Sequence, residues 1–98
     1  MENNLYVIVR NDLSRSQKAV QGIHASAELL LNHESLYWDN GTVVFLKVKD
    51  EKELLELENK LKEDCQTYSF FREPDIGNQM TAIALFGEKN MFSDLTLG

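Results

Sequence analysis

The sequence predicts an α/β domain: a four-stranded mixed sheet with helices packed on it. Three observations carry that expectation. Residues 5–9 (Leu-Tyr-Val-Ile-Val) are an unbroken apolar run of strand-favouring types. Two amphipathic helical stretches follow, each opened by a capping residue. Strand-like runs alternate with them in the order strand, helix, strand, helix, strand, strand, the signature of packed α/β layers with right-handed crossovers.

The elements follow in order. Ser14, with Gln17 three residues on, reads as a capping box that opens a helix over about Ser14–Leu31. Val20, Ile23, Ala27, Leu30 and Leu31 recur at helical spacing and form its expected core stripe. Gln17, Gln21, His24 and Glu28 make a polar column on the other side, and they cannot all be buried unpaired. A polar connection, Asn32 to Gly41, contains His33, Tyr37, Trp38 and the turn pair Asn40-Gly41. Thr42–Val48 is the second strand. Apolar residues on both of its faces predict a central strand covered on both sides.

Asp50 is placed to cap the second helix, with Glu53 at the third position. Leu54, Leu57 and Leu61, widened by Leu55, form its apolar stripe, and early acids with late lysines suit the helix dipole. Residues 67–71 read as the third strand. Residues 72–78 form a loop around the only proline, and Gln79–Phe86 is the fourth strand. Residues 88–98 read as a loosely attached tail. The expectation is one domain, 1–98, with its core over about residues 5–87.

Composition narrows the classes. A chain of 98 residues can bury one core and little more. It has no apolar run long enough to span a bilayer, and its polar start lacks the pattern of a signal peptide. Cys65 is alone, so no internal disulfide and no cysteine-based metal cluster can form. These features predict a cytoplasmic protein that does not engage membranes. The net charge of −6 opposes broad nucleic-acid binding. The acidity is local, however: residues 50–64 hold seven acids against three lysines. Arg10, Arg15 and Lys18 lie near the first helix start, where anions are favoured.

The stretch Arg10-Asn11-Asp12-Leu13-Ser14 joins a strand to a helix at what should be the carboxyl end of the sheet, a common place for ligands. An imidazole titrates near neutrality and can serve as a general base, which singles out His24. On its own, His24 reads equally as a surface residue paired with Glu28 one turn on. Asp75 after Pro74 is a common turn former, and Thr81 an ordinary strand residue. Trp38 and Tyr37 read as packing residues. There is no phosphate-cradling glycine loop, zinc-ligand spacing or nucleophile elbow, so neither a metal nor an organic cofactor is expected.

Several pieces together carry a family resemblance. They are Tyr6-Val7-Ile8-Val9-Arg10-Asn11-Asp12-Leu13, Ala19-Val20-Gln21-Gly22-Ile23-His24-Ala25, Val43–Val48 with Asp50-Glu51-Lys52-Glu53-Leu54-Leu55, Phe71-Arg72-Glu73-Pro74-Asp75, and Thr81-Ala82-Ile83-Ala84. In this order and spacing, over about residues 5–87, the chain resembles the type-2 peptidyl-tRNA hydrolases as a divergent, bacterial or phage-type member.

The resemblance implies an α/β sandwich that hydrolyses the ester between a peptide and the 3′ end of tRNA. It implies catalytic roles for His24, Asp75 and Thr81. It places Arg10, Gln17, Lys18, Gln21 and Arg72 at the substrate, with peptidyl-tRNA as partner. The chain departs from the family pattern at two places. Gln17 stands where the family has a helix-one lysine, and Lys18 is one position on, about 100° around the helix. The loop after Asp75 is shortened. Two alternatives stay open: a binding module for RNA or protein that has lost the chemistry, and a homodimeric structural or regulatory protein associating near Trp38 and Met91-Phe92.

Overall fold

The computed structural model describes residues 3–98, so Met1 and Glu2 of the expected domain lie outside the described residues. The strands are β1 (Asn3–Arg10), β2 (Val43–Val48), β3 (Ser69–Glu73), β4 (Gln79–Glu88) and β5 (Thr96–Leu97). The helices are α1 (Arg15–Asn32) and α2 (Glu51–Glu63), with 3-10 turns at Ser35–Tyr37 and Pro74–Ile76. The sheet order is β3-β4-β1-β2-β5. β1 and β2 are parallel, as the intervening helix requires, and every other pair is antiparallel.

The sheet therefore has five strands rather than four. The fifth comes from the tail expected to hang loose. Leu97 and Thr96 pair with Leu46 and Lys47, and Met91, Phe92 and Leu95 pack on the core. The aromatic edge of Tyr6 meets Phe92 at 4.9 Å, and the Tyr6 hydroxyl donates to Glu88 O. Burying these apolar side chains is what fastens the segment.

Two cores lie on opposite faces of the sheet. On one, Tyr6, Ile8, Leu46, Met80, Ile83 and Leu85 meet Leu54 and Leu61 of α2. The Asp50 cap and the leucine stripe are those expected from the sequence. On the other face, Leu5, Val7, Val9, Ala82 and Ala84 meet Ala25 and Leu29 of α1. β4 thus shows large side chains to α2 and alanines to α1. The thin side lets α1 come close: a Cβ on Gly22 would lie 3.1 Å from Val7 Cγ1.

This asymmetry turns α1 away from its expected orientation. Its buried residues are Gln21, Gly22, Ala25 and Leu29. The apolar stripe expected inside faces out: Ile23 is 68% exposed and Leu31 83%, with Val20, Ala27 and Leu30 also exposed. β2 is likewise not covered on both sides, because α1 sits over β4, β3 and β1 and leaves Val43 53% exposed. Trp38 packs on the α1-side core, and its Nε1 donates to Thr42 O.

Glu58 is the one acid of α2 that is buried, and the Tyr68 hydroxyl donates to it at 2.9 Å. Burial first, then the Glu58 carboxylate, pushes the Tyr68 hydroxyl up to about 12. The folded value lies above the ordinary phenol value of about 10. The resulting stabilisation is complete below pH ~10 and is lost as pH rises through ~12. Tyr68→Phe is therefore expected to flatten the fall in stability across that window, read as urea midpoints against pH. Wild-type and variant curves that run parallel there would reject the assignment.

Candidate functional site

The polar side chains gather where β1 ends and α1 begins. Ser14 Oγ accepts from Gln17 N, and Gln17 Oε1 accepts from Ser14 N, which closes the capping box. Arg10 ends β1 and is buried. Its Nε and Nη2 donate to both oxygens of Asp12, while Nη1 donates to Gln79 Oε1 and Met80 O. The Arg10 guanidinium holds the Asp12 carboxyl below the usual carboxylate range. A bidentate pair of this kind fixes the strand–helix junction.

The second cluster rests on a break in the sheet. Phe71 pairs with Ala82 and Arg72 with Met80, so Thr81 has no Cα partner in β3. Thr81 is the extra residue of a β-bulge, a device that re-aims side chains next to sites. It faces α1 together with Ala82. Its Oγ1 lies 3.0 Å from Gln21 Oε1 and 3.2 Å from Phe71 O, and its single proton serves one acceptor at a time. The Gln21 amide Nε2 donates to Glu73 Oε1 at 3.2 Å. Met80 N, freed by the bulge, donates to Glu51 Oε2. No buried side-chain nitrogen or oxygen among the described residues lacks a partner.

His24 lies one turn along α1 from Gln21. Its imidazole is stacked flat on Phe71, with centroids 4.1 Å apart and planes 8° from parallel. The ring takes part in no hydrogen bond with the described residues, and the residue is exposed. Asp75 is exposed on the Pro74–Ile76 turn. No hydrogen bond joins it to His24. The carboxylate that reaches α1 is Glu73, two residues earlier.

The other expected substrate-binding residues fall into two groups. Arg10 and Gln21 are buried and engaged within the fold, and Thr81 is fully enclosed. Gln17 is occupied by the cap. Lys18 is half-buried, and its Nζ donates to Asn11 Oδ1 at 3.1 Å. Arg72 is exposed, lies 5.7 Å from the centroid of the Phe70 ring and donates to Asn78 O. The cations open to a ligand at this rim are thus Lys18 and Arg72, with Arg15 on the first turn of α1.

Sequence reasoning did not single out Glu73, Glu51, Gln79 or Phe71. Glu73 stands beside the Pro74-Asp75 turn but carries no spacing that marks it. Among the described residues, no group of three His, Cys, Asp or Glu side chains is placed to hold a metal ion. No helix is long and apolar enough to cross a membrane.

The architecture is a helix–sheet–helix α/β sandwich with its polar cluster at the carboxyl end of the first strand. A family model described as peptidyl-tRNA hydrolase PTH2 matches residues 3–96, and the chain belongs to that family. A solved structure of a protein of unknown function from Agrobacterium tumefaciens is similar in fold. It has a TM-score of 0.76 and 15% identity, and the match covers 100% of this chain and 98% of that one. No curated protein matches.

Proposed function

We propose that this chain hydrolyses the ester joining a peptide to the 3′ end of tRNA, with His24 as the general base. The observation that carries this reading is the His24 imidazole, held flat on Phe71 beside the Thr81–Gln21–Glu73 chain. Stacking fixes the ring plane, and its nitrogens carry no protein hydrogen bond, so they can take a proton from an attacking water. Family membership supplies the substrate class.

Each remaining residue has a definite part in this reading. Asp75, exposed on the turn after Glu73, brings a carboxylate to the same rim to orient the imidazole or the water. Thr81 is enclosed and acts as a positioning residue: it holds Gln21 Oε1, and Glu73 holds the amide's other end. The helix face is thereby kept in register with β3. Lys18 and Arg72 meet phosphates of the single-stranded acceptor end, where charge contributes affinity and salt sensitivity. Arg10 does not touch substrate. Its donors are committed to Asp12, Gln79 and Met80, and it builds the junction on which the rim rests.

The test is release of peptide from a model peptidyl-tRNA. His24→Ala is expected to lower kcat about 100-fold, and Lys18→Ala to raise KM with kcat nearly kept. Release that His24→Ala leaves unchanged would overturn the role of the imidazole. Salt-sensitive tRNA binding without any release by the wild-type chain would overturn the enzymatic reading in favour of a binding module. The engagement of Lys18 with Asn11, off the family's lysine position, is the observation that favours that second reading.

A further inference from the structure

We propose that the outer face of α1, with the adjoining face of β2, docks a second copy of this chain across a two-fold axis. The face is a groove of about 450 Å3, and its apolar lining includes Ala19, Ile23, Ala27, Leu30, Val43 and Phe45. Ile23 and Val43 are more than half exposed, Leu30 is 40% exposed, and Val20 and Leu31 continue the surface along the helix. Together they leave about 500 Å2 of apolar surface open, near the upper end for the largest patch on a monomer.

Three observations select a second copy over other occupants. The first is charge. None of those six lining residues is ionisable, so the face offers nothing to the phosphates of a nucleic acid. The second is the placing of the acids. The chain carries −6, and −4 of that lies in residues 50–64, on and beside α2 across the sheet from α1. Two copies that meet through α1 keep their α2 helices about 20 Å behind the interface on each side, two Debye lengths at physiological salt. A like-charged partner meets least repulsion there.

The third is shape and area. Ile23 is flanked one turn in each direction by Ala19 and Ala27, so the ridge of one helix fits beside the small residues of its mate, as an isologous contact requires. Two such faces bury about 1,000 Å2 in total, the lower bound for a specific interface. The expected product is therefore a weak dimer with a dissociation constant in the micromolar range. Trp38, Met91 and Phe92, the earlier candidates for self-association, pack on the two cores and are not part of this face.

Sedimentation velocity on the full chain, from about 1 to about 300 µM, reads the equilibrium. The expected result is a concentration-dependent shift from monomer to dimer. Ile23→Asp should abolish it with unchanged circular dichroism, since the side chain lies outside the core. Leu97→Asp, equally exposed at the far sheet edge, should leave it intact. In a Cys65→Ser background, Ile23→Cys should give a disulfide-linked dimer under mild oxidation. A wild-type chain that stays monomeric throughout overturns the proposal. So does a dimer that survives Ile23→Asp, and so does binding of the monomer to neutral lipid vesicles without self-association.

Discussion

Leu29→Ala is expected to lower the unfolding free energy by about 3–4 kcal/mol, the usual cost of deleting a large aliphatic side chain from a sealed site. Its effect should be unusually decisive for α1. The helix buries Gln21, Gly22, Ala25 and Leu29, and of these only Leu29 brings a long apolar side chain to the sheet. The rest of the contact rests on small residues, whose truncation has little left to remove. The loss is a large share of the ~5–15 kcal/mol typical of a domain. It should appear as a lower urea midpoint at constant slope. Leu31→Ala, measured in dilute protein, should cost under about 0.5 kcal/mol, because Leu31 is 83% exposed. Equal costs at the two positions would mean that α1 is seated on another face.

Arg10→Met is the second large effect, expected at about 3 kcal/mol. Methionine fills the volume but restores none of the four hydrogen bonds. The Met80 carbonyl is left buried without its donor, a penalty of about 1–3 kcal/mol by itself. Asp12, Asp50 and Glu51 lose the cation that their charges favour. The side chain of Asp12 is 42% exposed and can rehydrate, which keeps the total below the upper range for a fully buried pair.

The pH dependence gives this prediction a second readout. The Asp12 carboxyl is depressed in the folded state, so its contribution is present above the unfolded value of about 3.9. It is lost as pH falls through the folded value. The gap between wild type and Arg10→Met should therefore narrow as the solution is acidified below about pH 4. A gap that stays constant would assign the cost to packing rather than to the ion pair.

Local signals in the sequence carried the caps and α2. Ser14 and Gln17 close their box as their spacing demands, and Asp50 accepts from Glu53 N. The Leu54–Leu61 stripe is unambiguous because the opposite face is charged. α1 was harder because both of its faces can be read as amphipathic. The larger apolar residues form one stripe, yet the buried side holds Gln21, Gly22 and Ala25. That side wins because β4 presents Ala82 and Ala84 to it, and because Gln21 finds partners in Thr81 and Glu73. Those partners lie 60 and 52 positions away, and no periodicity reports them.

The same reason hid much of the candidate site. His24 was visible as a chemical type on a polar column. Its seat on Phe71 depends on where β3 lies beside α1. The bulge at Thr81 depends on a register slip between two strands that sequence alone does not index. β5 escaped notice because two residues, Thr96–Leu97, make no pattern.

The pairing of β1 with β4 sets a schedule for synthesis. Asn3 lies opposite Glu88, and Val9 opposite Ala82, so the first strand made is completed by the last long one. A nascent chain can wind α1 and α2 early, but Leu5, Val7 and Val9 have no antiparallel neighbour until the residues near 88 clear the ribosome. Through most of translation an adhesive ribbon waits for its mate. Assembly is thus effectively post-translational, with a slow closing step set by sequence separation and an interval in which a chaperone has something to hold.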